Sequence, residues 1–211
     1  MAQKKKALKK TATAQTKNSV PKFVKSLAKK FKTPKDVQEW IHSLSYNWAD
    51  TVYSGKTVIR KKKAHCLEGA LAAALILEQH GYPPLVMSFE SADDVDHVVF
   101  VFKKGKYWGA VGQSRDPGLY GRKPKFKTLR ALAWSYFDPY IDDSGKITAY
   151  QIENLNNVLA DWRYSSKNLY EVDKHLVDLP HRKMKSSKKR HRTFKIRHQK
   201  NGPLKNGPNW W

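Results

Sequence analysis

The chain has 211 residues, a single cysteine and a formal net charge of +23. At this length one domain with a substantial core is the default. A lone cysteine excludes an intrachain disulfide framework and a multi-cysteine zinc site, and no apolar run approaches the roughly 18 residues of a membrane-spanning helix.

The charge is unevenly spread. Residues 1–32 hold 11 lysines and no acid, residues 181–211 hold 11 Lys or Arg and no acid, and residues 33–180 hold all 18 acids against 19 bases. The sequence therefore divides into a basic, largely disordered N-terminal tail (1–32), a nearly neutral domain (33–180) and a basic disordered C-terminal tail (181–211). The tails read either as solvated charge or as non-specific contacts to nucleic acid or another polyanion, favoured by counterion release. The lysine-rich start lacks an apolar h-region, so no secretory signal is expected and the location reads as cytoplasmic.

Taken in order, Phe23, Val24, Leu27 and Phe31 have helical spacing and predict a weak basic amphipathic helix within 20–32. Thr33-Pro34-Lys35-Asp36 is a helix start, with a capping threonine, proline at the first position and an acid in the first turn. Val37, Trp40, Ile41 and Leu44 extend it as one apolar stripe to about residue 48. Residues 49–63 read as loop. An Ala-rich helix then spans about 66–79, ended by His80-Gly81 and blocked by Tyr82-Pro83-Pro84. Strands are predicted over 85–89, 96–102 and 107–112, with Lys103-Lys104-Gly105-Lys106 as a hairpin loop. Another helix is predicted over 128–140 and a last one over 166–178. Asp142 to Ile147 resembles part of a calcium loop but lacks the two key carboxylates, so a turn is the better reading. No cofactor is expected. Helices segregated from an antiparallel run of strands make an α+β domain.

The cysteine opens the Ala-rich helix. Cys66 follows Arg60-Lys61-Lys62-Lys63-Ala64-His65, so both the helix macrodipole and the cationic flank favour the thiolate, the form that attacks carbonyl carbon. His97 lies 31 residues later at the entry to an apolar strand. A lone cysteine on such a helix is, taken alone, a small buried hydrophobe; the histidine and the helix-start position argue otherwise. His65 would point about 100° away from Cys66 if both were helical and reads as a surface residue. Glu68 is explained by the dipole. Asp93, Asp94 and Asp96 read as a solvated turn, although Asp96 could act on His97 or bind a cationic amine.

Ala64-His65-Cys66-Leu67-Glu68-Gly69-Ala70, Gly81-Tyr82-Pro83-Pro84, Asp96-His97-Val98 and Gly105-Lys106-Tyr107-Trp108-Gly109 together resemble the transglutaminase-like superfamily, in a small prokaryotic branch. The resemblance spans roughly 55–140. It implies a papain-like core in which a nucleophile helix packs on a small antiparallel sheet, with Cys66 as nucleophile and His97 as base. The family's third residue, usually Asp, stands four positions after the strand tryptophan, which here is Gly112. Gln113, Ser114 and Asp116 are the nearby substitutes. Asp116 has the chemistry to orient an imidazole, and Ser114 is better placed if the strand runs on unbroken.

Three readings follow. The first is a cysteine-dependent acyl-transfer or amide-hydrolysing enzyme (protease, amidase or transglutaminase-like) acting on a peptide or amide substrate. The second is a catalytically weak or inactive binding domain tethered to a polyanion by its tails. The third is a basic structural protein in which Cys66 is incidental.

Overall fold

The computed structural model describes residues 20–93 and 96–211. The disorder expected for residues 1–19, and Asp94 of the acidic turn, lie outside the described residues.

The molecule is mixed α+β around a six-stranded antiparallel sheet. Helix α1 (Lys22–Lys30) is the amphipathic segment expected, and it buries Val24 and Ala28. Helix α2 (Pro34–His42) starts with a capping box, in which Thr33 Oγ1 accepts from Asp36 N and the Asp36 carboxylate from Thr33 N. It stops earlier than expected, and Ser45–Tyr46 forms the short strand β1. The expected loop at 49–63 contains helix α3 (Gly55–Lys61), capped by the Ser54 hydroxyl on Thr57 N and closed by left-handed Lys62. Strand β2 (Lys63–Ala64) pairs in parallel with β1.

Helix α4 (Cys66–Leu77) has no amphipathic face: every residue from Leu67 to Leu77 is buried. A helix apolar all round belongs in a core, and α1, α2 and α3 pack around it. His80, just past its end, touches the Ala28 and Phe31 carbonyls through Nε2, both at 3.0 Å, and so ties α1 to α4.

Strands β3 (Leu85–Ser91), β4 (His97–Lys104) and β5 (Tyr107–Val111) form the predicted antiparallel run. Three further strands complete the sheet: β6 (Arg122–Phe126), β7 (Ile147–Asn154) and β8 (Arg182–Lys183), in the order β6-β5-β4-β3-β7-β8. Val98, Phe100 and Phe102 of β4 face α4, while Val99 and Val101 face helix α5 (Leu129–Tyr140). Both faces are covered, which is why β4 reads as a continuous apolar run rather than an alternating one. The helices are thus not all to one side of the sheet, as the sequence suggested.

Helix α6 (Tyr170–Asp178) follows. The expectation of a disordered tail from 181 onward does not hold. Arg182 and Lys183 pair with β7, Met184 is buried, and helix α7 (Lys188–Asn201) docks on α5. The docking is chemical as well as steric: Arg190 makes a two-pronged ion pair with Asp138, at 2.7 and 2.6 Å. Lys195 Nζ donates to the Asp143 carbonyl at 2.7 Å. The disorder reading followed from the lack of acids within the tail; the acids that hold it lie in the domain. No helix among the described residues is long and apolar enough to cross a membrane.

Candidate active site

The start of α4 is built by three local events. Left-handed Lys62 turns the chain, β2 fixes its direction, and His65 takes an extended conformation (φ −89°, ψ −173°) as the N-cap. Cys66 is then the first helical residue, and it is partly exposed. The first N–H to reach an intrahelical carbonyl is that of Gly69, on His65 at 2.9 Å. The N–H groups of the preceding turn lie outside the helical ladder, as helix geometry requires.

Cys66 and His97 line one cleft of about 290 Å³, together with Tyr46, Ser114, Arg115 and Asp116. His97 is the first residue of β4 and is buried, its ring parallel to Phe89 at 6.0 Å and tilted against Tyr136 at 5.8 Å. Its Nε2 lies 2.9 Å from the Leu119 carbonyl oxygen. A carbonyl only accepts, so Nε2 carries the proton and Nδ1 is the nitrogen left for acid–base work. The imidazole-orienting role of the third residue thus falls to a main-chain carbonyl, at the end of the 3-10 turn Pro117–Leu119.

The three side chains suggested for that role do other work. The Asp116 carboxylate pairs with Arg115 Nε at 3.1 Å, and the Asp116 backbone N–H donates to Ser114 Oγ at 3.0 Å. Gln113 Nε2 donates to the Ile41 and Leu44 carbonyls, at 3.0 and 3.1 Å, and bolts the end of α2 to the chain after β5. Position 112, where the resemblance implies an aspartate, has no room for a side chain without a shift of its neighbour: a Cβ there would stand 2.7 Å from Val99 Cγ1. The backbone of Gly112 is also clamped at both ends by the buried Gln38 amide, N–H to Oε1 at 2.9 Å and Nε2 to C=O at 3.0 Å.

His65 is the residue that sequence reasoning misjudged. The 100° separation applies only if both residues are helical, and His65 is extended. Its Nε2 lies 2.6 Å from the Thr51 carbonyl and 3.5 Å from Glu68 Oε1. Burial alone would push the His65 imidazole down. Hydrogen bonding to Cys66, the negative charges of Cys66 and Glu68 and the Thr51 carbonyl outweigh that and raise it to about 9. For Cys66, burial alone would push the thiol up; hydrogen bonds to His65 and His97 and the positive charge of both rings bring it down to about 5. The two groups form one coupled ion pair.

Glu68 also does more than meet a dipole. It is fully buried, and four donors converge on it. Oε1 accepts from Thr51 Oγ1 (2.8 Å) and Tyr53 N (2.9 Å), and Oε2 accepts from Asn47 Nδ2 (2.9 Å) and His65 N (3.1 Å). The carboxylate braces the 47–53 loop and the residue before Cys66. That loop walls a second depression of about 390 Å³, reaching from Tyr46 and Arg115 past Trp48 to His65 and Asp173. Burial pushes the Tyr46 hydroxyl up to about 12, with help from the charge of Cys66. Asp96 is held by Ser91 N at 3.1 Å, and burial raises its carboxyl above the usual range. At Asp142 the structure has the expected turn, with Oδ1 accepting from Ser144 N and Gly145 N, each at 2.7 Å. No group of His, Cys, Asp and Glu side chains among the described residues could hold a metal ion.

A thiolate between two imidazoles, next to helix-start N–H groups and open to a cleft, can attack a polarised carbonyl and return a proton to a leaving group. Of the groups involved, Glu68 had a legible signal: an acid three residues after a histidine N-cap. The Leu119 carbonyl had none. No protein-family model and no curated protein matches the chain.

Proposed function

We propose that the chain is a cysteine-dependent acyl-transfer or amide-hydrolysing enzyme with a transglutaminase-like, papain-like core. The observation that carries the reading is the contact of His97 Nε2 with the Leu119 carbonyl. It leaves Nδ1 as the proton-transfer atom in a cleft shared with Cys66. In this reading the Cys66 thiolate attacks the carbonyl carbon of a peptide or amide. A C–S bond forms, and the oxyanion is held by N–H groups at the start of α4. The Nδ1 proton of His97 comes from the Cys66 thiol, so the ring is an imidazolium when attack begins; as the C–N bond breaks, it gives that proton to the departing amine and is left neutral with its remaining proton on Nε2. Water or a second amine then attacks the thioester and loses its proton to His97, and the sulfur leaves as thiolate. His65 holds the thiolate between turnovers. A thiol nucleophile fits the reducing cytoplasm.

The test is acylation by p-nitrophenyl acetate at pH 7. The expected result is a stoichiometric burst of p-nitrophenol with an acetyl group on Cys66 in the intact mass, whose hydrolysis is slowed at least tenfold in His97→Ala. A wild-type hydrolysis rate no faster than that of His97→Ala would overturn the reading.

The second reading, a weakly active or inactive domain bound to a polyanion, is favoured by α7. That helix carries seven Lys or Arg, no acid and no buried residue. It is distinguished by salt-sensitive DNA binding that persists in Cys66→Ala.

A further inference from the structure

Arg122, at the start of β6, is fully buried. Among the described residues no carboxylate pairs with it. A buried cation without a counter-ion is costly unless dipoles replace its water. Here the dipoles are main-chain carbonyls. Nη1 donates to Tyr120 O at 2.7 Å and Gly121 O at 3.2 Å; Nη2 donates to Gly118 O at 2.7 Å and Ser135 O at 3.1 Å; Nε donates to Ser135 Oγ at 3.2 Å. The guanidinium also lies 3.9 Å from the Tyr136 ring centroid and 4.7 Å from that of Trp210.

The position of this fork matters. It grips the carbonyls of residues 118 and 120, and the carbonyl between them, that of Leu119, reaches His97 Nε2 at 2.9 Å. Gripped on both sides, that peptide has one orientation open to it.

Trp210 comes from the segment after α7, which runs back across the sheet edge. Trp210 bridges Arg122 in antiparallel register, Lys123 N donates to Asn209 O at 2.8 Å, and Trp211 Nε1 donates to Ala110 O at 2.9 Å. The segment lies directly on the 117–119 turn: a Cβ on Gly118 would stand 3.0 Å from Leu204 O and 3.2 Å from Trp210 Cη2. His198 and Pro203 border the same cleft as Cys66.

We propose that Trp210 is a positioning residue for His97: its indole confines the Arg122 guanidinium, whose fork holds the carbonyls flanking Leu119 and so aims the Leu119 carbonyl at His97 Nε2. This rests on the reading of His97 as the base. It gives Trp210 a role that its place in a basic tail did not suggest. Loss of the indole opens Arg122 to water, frees the turn and lets the His97 proton distribute over both ring nitrogens.

The test uses the full-length chain, labelled with ¹⁵N-histidine, as wild type, Trp210→Ala and Trp210→Phe. At a pH where His97 is neutral, the wild type and Trp210→Phe are expected to show a single tautomer with the proton on Nε2. Trp210→Ala is expected to show a mixture, and hydrolysis of the acetyl-Cys66 formed from p-nitrophenyl acetate to slow. Trp210→Phe should stay within threefold of wild type, because an aromatic face remains over Arg122. An unchanged Nε2–H tautomer in a folded Trp210→Ala overturns the positioning role, and so does a Trp210→Phe as impaired as Trp210→Ala. The tautomer is read without any reaction, so an inert wild-type Cys66 would sink the enzymatic reading and leave this contact chain standing.

Discussion

Replacing Glu68 by glutamine should cost about 3–5 kcal/mol of folding stability, and the value can be worked from the contacts. Four donors meet two carboxylate oxygens. Glutamine keeps one oxygen, so its NH₂ must take one of the two places. At the Oε2 place it would face the Asn47 amide and the His65 N–H, two donors that cannot turn into acceptors. At the Oε1 place it would face the Tyr53 N–H and the Thr51 hydroxyl, and the hydroxyl can rotate to accept. The second arrangement is the cheaper. It leaves one buried N–H unsatisfied, at about 1–3 kcal/mol, and removes the charge from two surviving hydrogen bonds, at about 1 kcal/mol each. For a domain of this size that lowers the thermal midpoint by roughly 6–20 °C. Urea unfolding of wild type and Glu68→Gln, followed by tryptophan fluorescence, measures it. A difference below about 1 kcal/mol would refute the argument that Glu68 is a satisfied buried hub.

Asp116→Asn should leave the acetylation rate within about threefold of wild type, because the carboxylate pairs with Arg115; loss of a true orienting carboxylate costs about 10⁴, which the same rate assay would reveal. Gly112→Asp, which introduces the aspartate that the transglutaminase-like resemblance implies, should destabilise the fold by more than about 2 kcal/mol and gain no activity, since its side chain meets Val99 and overpacking alone costs about 1–3 kcal/mol. The Cys66–His65 pair should exist between about pH 5 and pH 9. The depressed thiol contributes stability that is lost as pH falls through about 5, and the raised imidazole contributes stability that is lost as pH rises through about 9. Urea midpoints of wild type relative to Cys66→Ala across that range should show both edges. If α7 carries polyanion contacts, removing residues 188–211 should weaken salt-sensitive DNA binding and flatten its salt dependence; engagement of about five phosphates by α7 would account for about 4 to 5 of the log–log slope.

The parts of this fold legible in the sequence are those specified by neighbours in the chain. Thr33-Pro34-Lys35-Asp36 contains its own capping box, and the run from Leu67 to Leu77 can only be a buried helix. β4 and β5 are joined by a short turn and needed no distant partner to be recognised. What was hidden depends on residues far apart. β7 pairs with β3 across about 60 residues of chain and carries Tyr150, Gln151 and Glu153, which break any simple alternation. α7 is basic throughout, and the acids that hold it, Asp138 and Asp143, sit on the domain. At the site, Cys66 and His97 were visible as side chains with chemistry. The partner of His97 was not, because a main-chain carbonyl leaves no mark in a sequence, and the search for a side chain near position 112 could find only Gln113, Ser114 and Asp116. His65 was misjudged for a local reason: a residue one position before a helix does not follow the helical wheel.

The central claim is that two imidazoles hold Cys66 as a thiolate at neutral pH. Because the chain has one cysteine, the rate of alkylation by iodoacetamide against pH reads that thiol alone. The account predicts a half-maximal rate near pH 5, moving up by about 1–3 pH units when either His65 or His97 is replaced by glutamine. A half-maximal rate near 8.5, the ordinary thiol value, unmoved by either replacement, would contradict it.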